Sequence, residues 1–121
     1  MSSLDYYVGF EKEPTELDEF LKGIGFELTS SSHDDTRIYE SIKDPIDIYY
    51  SPAVEEYDED EEEGINWKES GRAITSDLLL TSKDYGLYET MQDISRKLLE
   101  KYDGVFHDPN MDDGFFGKGE L

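Results

Sequence analysis

Apolar and polar positions alternate at the start of the chain and then change period. In YYVGFE (residues 6–11), Tyr6, Val8 and Phe10 fall on one face and Tyr7, Gly9 and Glu11 on the other, as in a half-buried strand. From Pro14 the spacing lengthens. Leu17, Phe20, Leu21 and Ile24 recur at i, i+3, i+4 and i+7, one apolar stripe of a helix. Thr15 is expected as its N-cap, with Asp18 at capping-box distance and Gly25 as the stop. Alternation returns in residues 26–31, where Phe26 and Leu28 oppose Glu27 and Thr29. It returns again in residues 37–42, where Ile38 and Ile42 are expected on one face and Arg37, Tyr39 and Ser41 on the other. Asp44-Pro45 breaks that strand, because proline cannot donate to a ladder. Ile46, Ile48 and Tyr50 then alternate with Asp47 and Tyr49 in a further strand.

The stretch 71–109 reads as a strand–helix–strand unit: GRAITSDLLLTS, then KDYGLYETMQDISRKLLEKYDG, then VFHDP. Its helix carries Leu87, Met91, Ile94, Leu98 and Tyr102 at spacings of three or four, a core-facing stripe. Asp84 is placed to cap it and Gly104 to end it, and the two strands are expected to run parallel. The turn into the helix has one glycine, Gly86, and no phosphate-binding pattern, so the unit reads as scaffold. The predicted order is β-α-β-β-β-β-α-β. This is an α+β fold, a two-layer sandwich with a mostly antiparallel sheet and two helices on one face, ferredoxin-like or related. Residues 1–109 form the single expected domain, with an acidic mobile loop at 52–66. Residues 110–121, Gly-rich and without periodicity, are expected as a flexible tail.

Charge sharpens this picture. The 121 residues hold 31 acids against 11 bases, a net charge of −20. Leu, Ile, Val and Phe make up 28 of them, enough apolar area for one folded core. Eight of the nine residues from Glu55 to Glu63 are acidic, and Asp58, Glu59, Asp60, Glu61, Glu62 and Glu63 are unbroken. Without those eight, 23 acids remain against 11 bases, a charge of −12, so acidity belongs to the whole domain. Such a surface argues against nucleic-acid and anionic-membrane binding, and favours a basic protein partner or simple solubility. No leader or membrane-spanning run is evident and cysteine is absent, so the expected location is cytoplasmic.

Candidate chemistry is sparse. Asp108, Asn110 and Asp112 have the 1, 3, 5 oxygen spacing of a calcium loop, but the glycine and the distal glutamate (Gly114, Glu120) each arrive one residue late. His33 sits in a polar turn, and His107 ends a strand beside Asp108. Neither has a neighbour that marks it as catalytic, since acids are everywhere. Glycine-rich nucleotide loops, HExxH and GxSxG are absent, so no catalytic residue and no cofactor is assigned and a non-enzymatic role is expected. If Val8, Phe10, Ile38, Ile42, Ile46 and Ile48 face the helices, then Tyr7, Tyr39 and Tyr49 share the other face, an aromatic surface suited to a protein partner. The alternative is that these tyrosines pack together or lie under the acidic loop. The leading expectation is therefore an inhibitor- or immunity-type protein, or a nucleic-acid mimic, that binds a basic protein. Calcium binding by residues 108–120, or acidity for solubility alone, are the alternatives.

Overall fold

The computed structural model describes residues 3–54, 65–111 and 114–121. The elements are β1 (Leu4–Phe10), α1 (Leu17–Gly23), β2 (Phe26–Ser31), β3 (Arg37–Ser41), β4 (Asp47–Ser51), β5 (Ser76–Ser82), α2 (Tyr88–Tyr102), β6 (Val105–His107) and β7 (Phe115–Phe116). All the strands join one antiparallel sheet in the order β2-β3-β4-β5-β1-β6-β7. The fold is thus α+β, with seven strands and two α-helices among the described residues. Seven strands exceed the usual ferredoxin-like count. Because β5 and β6 are both antiparallel to β1, they run in the same direction with β1 between them, and α2 crosses from one to the other.

One core explains this arrangement. The apolar stripes of α1 (Leu17, Leu21) and α2 (Met91, Ile94, Leu98) meet Val8, Ile48, Leu78 and Leu80 on one face of the sheet. Each such side chain, fully buried, contributes about 1.5–3 kcal/mol. The helices also touch each other. Phe20 and Tyr102 pack edge-to-face at 5.6 Å, and the Tyr102 hydroxyl donates to the Thr15 carbonyl at 2.8 Å. No helix among the described residues is long and apolar enough to cross a membrane.

Several local expectations are revised. Thr15 does not cap α1; the helix opens at Leu17 after Glu16 in a left-handed conformation, without a side-chain cap. Asp84 does not cap α2, whose N-cap is Leu87 without a side-chain bond; it caps the short helical turn Tyr85–Leu87 just ahead, its Oδ1 accepting from the Gly86 N–H at 2.9 Å. Gly104 is not the helix stop, which falls on left-handed Asp103. Gly104 instead allows close approach, since a Cβ there would lie 2.4 Å from the Gly9 carbonyl oxygen. The strand expected from Gly71 begins only at Ser76, after a single helical turn at Trp67–Ser70. The tail is not structureless throughout. Phe115 and Phe116 pair with His107 and Phe106, and the Phe116 and Phe106 rings lie 6.1 Å apart.

Candidate interaction surface

The face of the sheet away from the helices carries the residues of interest, and strand register places them in rows. Ser30, Ile38, Tyr49, Leu79, Tyr7, His107 and Phe115 stand opposite one another in turn across all seven strands. The adjacent row reads Glu27, Glu40, Asp47, Thr81 and Asp5. An apolar and aromatic row therefore runs beside an acidic one. Asp5 is held locally, accepting from Thr81 Oγ1 at 2.5 Å and Ser3 Oγ at 2.8 Å. Among the described residues no Lys or Arg pairs with Glu27, Glu40 or Asp47.

One half of this face is sealed. Residues 65–75 form an arm whose Trp67 and Ile74 pack on Val105, with Tyr7, Val54, Ile65 and Phe115 around them. Gly9 makes the close approach possible, because its missing side chain leaves room for Ile74 and the Trp67 ring. The indole Nε1–H donates to Asp77 Oδ2 at 3.2 Å. His107 stacks on Phe115 with ring centroids 4.3 Å apart and meets Trp67 edge-on at 6.1 Å. Its Nδ1 lies 3.1 Å from the Gly114 carbonyl oxygen. A carbonyl only accepts, so the neutral ring carries its proton on Nδ1. Burial holds the imidazole below its ordinary pKa, against the opposing pull of the Gly114 bond, Asp108 and Glu69. His107 is thus part of a packed aromatic cluster.

The three tyrosines are not together. Tyr7 and Tyr49 lie on the helix-free face, bridged by Leu79, but Tyr39 lies on the helix face and is 1% exposed. The phase of β3 is opposite to the expected one, so Ile38 points away from the helices, while Ile42 follows the strand and is exposed. A polar network explains the inversion. The Tyr39 hydroxyl donates to Asp18 of α1, and Arg37, on the same face of β3, donates to Asp18 at 3.0 Å and to Asp35 at 2.7 and 2.8 Å. Burial first, and the Asp18 bond second, push the Tyr39 phenol well above its usual range. Two separate elements are locked by this contact, which a Tyr39 on the other face could not make.

The acidic residues Asp58, Glu59, Asp60, Glu61, Glu62 and Glu63 lie outside the described residues, as does Asp112. The residues flanking the acidic run are described. Val54 and Ile65 both pack against the Trp67 cluster. Asp108 is buried, and its Oδ1 already accepts from the Asn110 N–H at 2.9 Å, closing a turn. Among the described residues there is no group of three His, Cys, Asp or Glu that could hold a metal ion. His33 sits in the exposed turn between β2 and β3. The Trp67 arm was missed in sequence, although a lone tryptophan between Ile65 and Ile74 was the available signal. No known protein family, curated protein or solved structure matches this chain.

Proposed function

We propose that this protein is a non-enzymatic interaction module whose helix-free sheet face binds a basic protein. The observation that carries the reading is the open half of that face. Tyr49 is 38% exposed there, between Ile38 and Leu79 and beside the acidic row of Glu27, Glu40 and Asp47, which meets no Lys or Arg among the described residues. Aromatic and apolar side chains supply contact area, and the surrounding acids select a cationic partner and speed its association. The acidic run adds eight negative charges to the chain as a whole. An inhibitor of a basic enzyme and a nucleic-acid mimic are both forms of this activity.

The test is capture from native lysate at low and at moderate salt, with wild type and an Ile38→Ser/Tyr49→Ser variant side by side. The proposal expects a basic protein that wild type retains at moderate salt and the variant does not. Binding that fades equally for both proteins as salt rises is non-specific charge capture and refutes the proposal.

A further inference from the structure

We infer that the open half of this face recognises a partner arginine, a refinement that rests on the basic-partner reading. The molecule holds a template for it one residue away. On the helix face Arg37 stands directly opposite Tyr50, its Cζ 5.3 Å from the ring centroid, and its guanidinium is held by Asp35 and Asp18. Tyr49, the preceding residue of β4, points to the other face, where it stands opposite Ile38. Around Tyr49 on that face are Asp47, two residues earlier on the same strand, and Glu40, on the diagonal across β3. Diagonal neighbours in a sheet are about 7–8 Å apart, within reach of long side chains.

A tyrosine ring and two carboxylates thus recur, but the residue opposite the tyrosine is uncharged Ile38 in place of an arginine. Among the described residues no Arg or Lys pairs with Glu40 or Asp47, and none stacks on Tyr49. A guanidinium suits the position. Its plane stacks on an aromatic face while its N–H fork reaches carboxylates, whereas an ammonium is a compact, strongly hydrated charge. Ile38 and Leu79, on either side of Tyr49, offer apolar surface for the arginine stem. Charge argues against the other occupants. A second copy of this chain would bring another −20, and the acidic run would bring eight more carboxylates to an acidic face.

The test is calorimetric titration of the full chain with oligo-arginine and oligo-lysine peptides of equal length, at low and moderate salt. The arginine peptide should bind about two- to fivefold more tightly than the lysine peptide, the range of an exposed cation–π contact. That preference should vanish in Tyr49→Leu, a change at an exposed site, and both peptides should weaken in Glu40→Gln/Asp47→Asn. Equal binding of the two peptides to wild type, or an arginine preference that survives in Tyr49→Leu, overturns the arginine inference and leaves the basic-partner reading standing. Failure of both peptides to bind even at low salt overturns both.

Discussion

Gly9 is where strand β1 meets the Trp67 arm, and one added methyl group tests that packing. A Cβ at Gly9 would stand 2.7 Å from Ile74 Cγ2 and 3.0 Å from two carbons of the Trp67 ring. Ordinary contact is about 3.5–4.0 Å, so the arm must retreat by most of an ångström. With free space, Gly→Ala inside a strand gains about 0.5–1 kcal/mol, because alanine has less freedom to lose. Overpacking costs about 1–3 kcal/mol, so Gly9→Ala should destabilise by roughly 1 kcal/mol net. At a urea dependence of about 1–3 kcal/mol per molar, the unfolding midpoint falls by roughly 0.3–1 M. Trp67, the single tryptophan, reports unfolding by fluorescence, and far-UV circular dichroism checks it. The stronger test is the cycle with Ile74→Ala, which removes the nearest obstacle. That change alone costs about 2–5 kcal/mol, within the stability of an ordinary domain. In its background Gly9→Ala should cost nothing or gain, a coupling of about 1 kcal/mol or more. A stabilising Gly9→Ala in wild type, or the same cost in both backgrounds, would refute the packing of the arm on β1.

Four further outcomes are expected. Tyr39→Ser should cost about 3–5 kcal/mol in urea unfolding, against less than about 1 kcal/mol for Tyr49→Ser, so a triple Tyr7/Tyr39/Tyr49 serine variant should unfold through Tyr39. Phe115→Ala should cost about 1–3 kcal/mol and red-shift Trp67 emission, since Phe115 covers both Trp67 and His107; an unchanged spectrum would count against β7. The His107 pKa is lowered in the fold, so its stabilisation is complete above the unfolded value of about 6.5 and is lost as pH falls through the folded value. The difference in urea midpoint between wild type and His107→Gln should therefore shrink from pH 7 to pH 5, and a flat difference would contradict the burial of the ring. Glu40→Gln should raise the urea midpoint of the free protein slightly, because Glu40 stands directly opposite both Glu27 and Asp47.

The sequence disclosed both helices and six of the strands, the helices and β1 to β4 by their period and β5 and β6 by their place on either side of α2. Leu17, Phe20, Leu21 and Ile24 cannot be read as a strand, and the alternation through Tyr6, Val8 and Phe10 cannot be read as a helix. Phase was harder than period. In β3 an apolar residue (Ile38) and an aromatic one (Tyr39) occupy adjacent positions, so alternation allows either face. The choice is made by Asp18, 21 residues earlier in the chain, which takes the Tyr39 hydroxyl. The two-residue strand β7 has no pattern of its own and exists only through its pairing with β6. The Trp67 arm was hidden for a similar reason, because its apolar residues are spaced by contact with Gly9 and Val105 and by no regular repeat.

Solubility and partner binding make different demands on where carboxylates stand. Solubility is served by acids dispersed anywhere on the surface, and it gives no reason to align them. Here Glu27, Glu40 and Asp47 face one another across three neighbouring strands, an arrangement in which like charges weaken the sheet. No cation of the described chain offsets them, although Arg37 is held by two acids on the opposite face of the same strands. A basic partner would relieve that repulsion on binding, so the same carboxylates would cost stability in the free protein and supply affinity in the complex. Glu40→Gln therefore separates the two explanations in a single variant. Under partner binding it stabilises the free protein and weakens its hold on an arginine peptide together; under solubility alone it stabilises with no loss of binding.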